Sequence, residues 1–293
     1  RGELRTVVSV GSMLKGLINR LERQLWARRS YKFVIRNWSV LPSISVLGDV
    51  LAAMRASQEI TPLVLAAPTV KRVLVVAPHP DDEVIGPGGT LIGAIDAGAK
   101  VHVVYLTSGS MEADGMGIRE AEAQAAAAYL NYTTKFLRLP SLRESAGMED
   151  AKVLAEAIGE FDPEILFIPF FTDDHIEHRR ASELLLMGLS ANAVNGDLEI
   201  WAYQVYSSLI ANVVVDVTAN IERKSEAIRL FASQAKSRDW VHFAAGLSAY
   251  NSRLLPGNEP KHGEIFFVSK LRGYGDLCGP YFGHEANKCE EIG

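Results

Sequence analysis

The rhythm of apolar and polar positions changes along this chain and predicts most of its elements. Arg72 to Pro78 is a short, nearly all-apolar, β-branched run, the pattern of a strand buried on both faces. A glycine-rich turn and a helical stretch at about 89–98 follow, and Lys100 to Leu106 then reads as a second strand. Residues 117–131 are alanine-rich and helical, Lys135–Leu139 reads as a third strand, and 149–160 as a helix ended near Asp162-Pro163. Glu164–Pro169 is the fourth strand, followed by a helix over 177–191. Further on, Glu199–Tyr206 and Val213–Val217 read as strands, Ile221–Ser233 as a helix and Glu264–Val268 as a late strand. Short strands alternating with helices of this kind argue βαβ units. The expected fold class is α/β: a Rossmann-like, mostly parallel sheet with helices on both faces.

The flanks differ from this body. Leu14, Leu17, Ile18, Leu21 and Leu25 recur at helical spacing with Lys15, Arg20 and Arg23 between them. The expected organisation is a basic helical N-terminal arm at 1–68, the α/β body at 69–272, and a glycine-rich C-terminal tail at 273–293 that lies loose or draped. No internal repeat or low-complexity segment stands out.

Charge sharpens the picture. The chain has 30 Lys plus Arg against 35 Asp plus Glu, a net charge of −5. That balance lacks the basic excess of a dedicated nucleic-acid binder, and no nucleic-acid partner is expected. Residues 1–38 hold nine basic and two acidic residues, a local balance of +7, so the remaining 255 carry −12. A basic amphipathic arm can make peripheral contact with an anionic membrane, or dock on the acidic body or on a second subunit of a homo-oligomer. With 48% hydrophobic and 22% charged residues the composition is ordinary for a globular protein. It excludes disordered, collagen-like and disulfide-scaffold chains. No apolar run approaches the length of a membrane-spanning helix. The two cysteines, Cys278 and Cys289, read as spare thiols of a cytoplasmic protein or as a late disulfide pinning the tail. The chain opens on Arg1 rather than Met, which leaves a preceding leader open.

Candidate chemistry falls at two strand ends. His79-Pro-Asp-Asp-Glu83 follows the first strand, and Asp173-Asp-His-Ile-Glu-His178 follows the fourth. In open parallel sheets ligands bind outside the carboxyl ends of the strands, so the two clusters can meet. Imidazole and carboxylate together suit zinc, with an open position for water. His79 and Asp82, three apart across a turn, can face one metal, with His178 as the third ligand. Asp81 can take the water's proton, and His175 can stabilise an oxyanion or protonate a leaving nitrogen. Alone, each cluster also has a plain reading, as turn residues or as charges at a helix start. His102 is expected to be a hydrogen-bonded strand residue. Trp201, Trp240 and Tyr250 are expected to pack, although they could line a sugar site.

His79-Pro-Asp-Asp-Glu, continuing Val-Ile-Gly-Pro-Gly88-Gly89, resembles the opening motif of the PIG-L/LmbE-like family of zinc-dependent N-deacetylases. The resemblance covers about residues 71–268. It extends to Arg119 and Glu122, similar to the family's Arg-x-x-Glu, and to Val215-Asp-Val217 through Lys224 to Ser233-Gln234. It implies His79, Asp82 and His178 as ligands of zinc (ferrous iron as the alternative), Asp81 as general base and His175 as the electrophilic or acid histidine. It also implies Arg119 and Ser141 on the substrate, an N-acetylated amino sugar or glycoconjugate of N-acetylglucosamine type. Two positions depart from the family pattern. Glu177 stands where Asp is usual, and Leu139-Pro-Ser141 stands where a sugar-binding Asp often follows Leu-Pro. The second leaves open the sugar, or a different amide. A non-catalytic glycan-binding protein on the same scaffold is the reading from another class.

Overall fold

A computed structural model of the protein describes residues 61–109, 113–139, 142, 145–209 and 211–283. Its elements in chain order are β1 (Leu63–Leu65), β2 (Arg72–Ala77), α1 (Asp82–Ile85), α2 (Gly88–Asp96), β3 (Lys100–Tyr105), α3 (Ala113–Leu130), β4 (Thr133–Phe136), α4 (Met148–Phe161), β5 (Ile165–Pro169) and α5 (Ile176–Ser190). They continue with β6 (Glu199–Tyr203), β7 (Val213–Asp216), α6 (Ile221–Arg229), α7 (Trp240–Asn251), β8 (Gly263–Lys270) and α8 (Leu271–Phe282).

The eight strands form one sheet in the order β1-β7-β8-β6-β5-β2-β3-β4. All neighbours are parallel except β8, which runs antiparallel to both β6 and β7. The α/β, mostly parallel expectation holds. In β2, residues Val73 to Ala77 are fully buried whichever face they point to, which is why the strand reads as a continuous apolar run. The helices bury stripes against the sheet. In α3 these are Ala123, Ala126, Ala127 and Leu130; in α4 they are Ala151, Leu154, Ala155 and Ile158, both at helical spacing. Helix α4 ends on Asp162 in the left-handed conformation (φ 51°), just before Pro163.

The chain runs from β2 outward through β3 to β4, then returns to place β5 on the other side of β2. The crevice between β2 and β5 is therefore the switch point of the sheet, where ligands bind in open α/β folds. Val73 pairs with Ile165 and Val75 with Phe167, so both strands end at the same edge.

Two organisational expectations change. Residues 61–68 do not all belong to an N-terminal arm, because Leu63–Leu65 join the sheet beside β7. Residues 273–282 are not a loose tail but most of helix α8, with Tyr274, Cys278 and Tyr281 buried. One of its glycines serves close packing: a Cβ on Gly275 would stand 3.2 Å from Leu189 and 3.3 Å from Leu186 of α5. The Cys278 thiol donates to Tyr274 O (2.9 Å), and burial pushes its pKa up. The amphipathic pattern at 14–25, the rest of the basic arm and Cys289 lie outside the described residues. Among the described residues no helix is long and apolar enough to cross a membrane.

Candidate active site

Beyond β2 the chain turns through Pro78-His79-Pro80 into Asp81, whose φ of 121° is strained for a residue with a side chain. Its neighbours hold the turn. The Asp81 N–H donates to Glu83 Oε2 (3.1 Å), and Glu83 Oε1 accepts the hydroxyls of Tyr105 (2.8 Å) and Tyr132 (2.9 Å). Burial pushes the Glu83 carboxyl up to about 7 against the pull of these bonds. The glycines that follow are needed for close approach. A Cβ on Gly86 would lie 2.6 Å from the Tyr203 ring, and one on Gly89 would lie 2.6 Å from Val217 Cβ. The buried Glu264 carboxylate accepts the N–H groups of Gly89 and Thr90 (both 2.8 Å) at the start of α2. Lys224 Nζ joins it at 2.7 Å and also donates to Gly86 O (2.9 Å).

The two sequence clusters meet. Asp82 Oδ2 accepts the His79 N–H (2.9 Å) and stands 3.1 Å from His79 Nδ1 and 3.2 Å from His178 Nε2. His178 Nδ1 lies 3.0 Å from Asp173 Oδ1. Neither contact of the His178 ring has hydrogen-bond alignment, so both ring nitrogens, together with Asp82 Oδ1, are buried without a hydrogen-bond partner. Burial pushes His178 down, but the charges of Asp82 and Asp173 outweigh it and hold the ring up to about 10. A field that retains a proton this strongly equally favours a cation. The ring nitrogens of His79, His175 and His178 include donor atoms all within 4.8 Å of one another. Imidazoles and a carboxylate, with buried donor atoms lacking partners, fit a zinc or ferrous ion.

Around this group stand the remaining candidates. Asp81 is buried, and burial, reinforced by the charge of Asp82, pushes its carboxyl up to about 8 against the pull of Arg119 and His79. Arg119 reaches it from α3, with Nη2 on Asp81 Oδ2 (3.2 Å) and Pro80 O (2.7 Å), and Nη1 on Gly109 O (2.8 Å). His175 caps α5, its Nδ1 accepting the Glu177 N–H (3.3 Å). Burial, then the charges of His79 and His178, lower it to about 4, so the ring is neutral and its proton sits on Nε2. The Glu177 carboxylate bonds His79 Nε2, so the longer side chain at this position reaches across to the first cluster.

His79, Asp81, Asp82, Arg119, His175 and His178 are thus gathered in one place. Pro140, Ser141, Arg143 and Glu144 lie outside the described residues. His102 takes no part: its Nδ1 lies 2.7 Å from Thr133 Oγ1 and its ring stacks on Phe161. Trp201 is buried between Phe167 and Phe266, as expected of packing, and Tyr250 is exposed under Arg253. Two further contributors have no role assigned by the sequence alone. Asp173 accepts the His175 N–H (3.0 Å) on Oδ1 and the N–H groups of Tyr206 (2.9 Å) and Ser207 (3.3 Å) on Oδ2. Tyr206 lies parallel to the His178 ring, 5.2 Å away. Asp173 reads in sequence as an acidic helix start, and only its place beside the expected ligand His178 hinted at more.

The arrangement agrees with what the chain resembles. The model of the family PIG-L, described as GlcNAc-PI de-N-acetylase, matches residues 74–187, from β2 into α5, a stretch that carries both clusters. The diacetylchitobiose deacetylase of Thermococcus kodakarensis is 30% identical over 199 residues, 58% of this chain and 73% of that protein. The solved structure of the conserved protein TT1542 from Thermus thermophilus matches with a TM-score of 0.59 at 25% identity, over 67% of this chain and 94% of that one. That of the N,N'-diacetylchitobiose deacetylase from Pyrococcus horikoshii shares the fold, with a TM-score of 0.59 at 24% identity over 76% of this chain and 89% of its own. With its sheet, its paired strand-end clusters and this kinship together, the chain belongs to the PIG-L family.

Proposed function

We propose that this protein is a metal-dependent hydrolase that removes the acetyl group from an N-acetylated amino sugar or sugar conjugate. The observation that carries this reading is the meeting of His79, Asp82 and His178 around buried, unpartnered donor atoms, beside a strained and buried Asp81. His79, Asp82 and His178 would hold zinc, or ferrous iron. Such an ion, when bound, supplies an acidified water and polarises the acetamide carbonyl.

The chain's own residues do the rest. Asp81, buried beside Asp82 and held by Arg119, takes the proton of the attacking water as its carboxylate. Arg119 fixes its orientation through Asp81 Oδ2 and Pro80 O, which makes it a positioning residue as well as a candidate substrate contact. His175, neutral with its proton on Nε2, donates to the oxyanion of the tetrahedral intermediate. Asp173 stands 3.0 Å behind His178 Nδ1, placed to enter the carboxylate–histidine arrangement of many zinc sites once the ring aligns on a metal. The kinship with a diacetylchitobiose deacetylase supports an N-acetylglucosamine-type substrate. Ser141 in place of the family's usual Asp keeps a different amide as the alternative.

The test is acetate release from a panel of N-acetylglucosamine conjugates by the zinc- or iron-loaded protein. Release that depends on both the metal and Asp81 is the expected result. A loaded protein that releases no acetate from any member contradicts the reading.

A further inference from the structure

The aromatic surface that begins at His178 does not stop at the metal group. Tyr206 lies on His178 (centroids 5.2 Å apart, 14° between planes) and touches Trp240 at 5.8 Å and Phe243 at 6.1 Å. Trp240 is therefore no more than 11.0 Å from His178. All three aromatic residues are half-buried, and the exposed Arg238 lies over Trp240 (5.2 Å) and Phe243 (5.6 Å).

This surface is tied to the catalytic group at both ends. Asp173, beside His178, holds the Tyr206 N–H at 2.9 Å. At the other end Trp240 Nε1 donates to Gln234 O (3.2 Å), and the adjoining Ser233 binds Glu122 through its N–H and its hydroxyl, both at 2.7 Å. Glu122 lies one turn along α3 from Arg119, which holds Asp81. Two polar functions are left over. Among the described residues the Tyr206 hydroxyl has no hydrogen-bond partner, and no carboxylate pairs with Arg238. Half-buried aromatic rings beside a free phenol O–H and an exposed guanidinium without a carboxylate partner suit a ligand with a C–H face and a hydroxyl rim; an acyl chain would need an aliphatic groove instead.

We infer that Tyr206, Trp240, Phe243 and Arg238 form a saccharide-binding subsite, which takes the sugar ring attached to the one that carries the reacting acetamide. The inference rests on the deacetylase reading and narrows its substrate to conjugates with a second ring. It also assigns the residues that select them.

The experiment compares kcat/KM for N,N'-diacetylchitobiose and for N-acetylglucosamine in metal-loaded wild type, Trp240→Leu and Arg238→Ala. The ratio of disaccharide to monosaccharide efficiency should fall about tenfold in Trp240→Leu, the size of one lost ring contact, and severalfold in Arg238→Ala. Arg238 is exposed, so its replacement leaves the fold intact, and thermal unfolding checks the Trp240 variant. A ratio that stays at the wild-type value in both variants overturns the subsite. If the wild type hydrolyses neither sugar, the deacetylase reading falls on its own. Calorimetric titration with N,N'-diacetylchitobiose then decides the subsite: binding weakened about tenfold by Trp240→Leu supports it, and binding equal in wild type and variant, or absent from the wild type, overturns it.

Discussion

Asp81 occupies a conformation (φ 121°) that costs a non-glycine residue on the order of 1–3 kcal/mol, and two side chains hold it there directly. Glu83 takes its N–H, Arg119 takes its carboxylate, and Tyr105 and Tyr132 fix Glu83 in turn. Replacing Asp81 by Asn keeps the shape and removes the proposed base. Asp81→Asn should bind metal almost as wild type does and lose at least about a hundredfold in kcat; a variant that loses its metal instead would make Asp81 a ligand. Asp173 is the complementary case, since it touches His178 from outside the proposed ligand set. Asp173→Ala should weaken zinc affinity by about 10- to 100-fold in a competition titration with a chelator. Affinity equal to wild type would remove it from the site's support. At this scale the sequence is informative about the proposed ligands and silent about what surrounds them. His79, Asp82 and His178 announce themselves by residue type and spacing. Tyr105, Tyr132 and Tyr206 look like any packed aromatic until the sheet brings the first two to the turn and the third to His178.

The glycine turn between α1 and α2 is built as a unit with α6 and β8. Lys224 from α6 and Glu264 from β8 meet inside it, their side chains 2% and 5% exposed, and between them bind Gly86 O and the N–H groups of Gly89 and Thr90. Breaking such a buried pair strands a charge. Lys224→Met should therefore cost about 3–5 kcal/mol in denaturant unfolding, and a loss below about 1 kcal/mol would mean that the pair is not buried as described. Element prediction succeeded where burial imposed a pattern: β2, β3, β5 and the stripes of α3 and α4 are all legible. It failed where packing replaced pattern. Helix α8 reads as a tail because its glycines suggest freedom, whereas Gly275 lets the helix approach Leu186 and Leu189 of α5. Strand β1 has three residues and gains its place only by pairing with β7, far along the chain.

For the whole molecule the decisive feature is the sheet order, which sets β5 against β2 and so brings Asp173–His178 to His79–Asp82 across about 95 residues of sequence. That order is not encoded in any local pattern, although the alternation of strands and helices made an adjacency of strand ends a reasonable expectation. A metal held from both sides of the β2–β5 crevice would also tie the two halves of the sheet together. Zinc at about 100 times its Kd should add ~2.7 kcal/mol to stability, roughly 5–10 °C in Tm, and His178→Ala should abolish the increment. An equal increment in wild type and variant would place the metal elsewhere. The most direct test of the account is the metal content of the full chain by elemental analysis, wild type beside His178→Ala, both purified without added metal. The account predicts near-stoichiometric zinc or iron in the wild type and loss of most of it in the variant. A wild type that holds no metal even after zinc is supplied would contradict it.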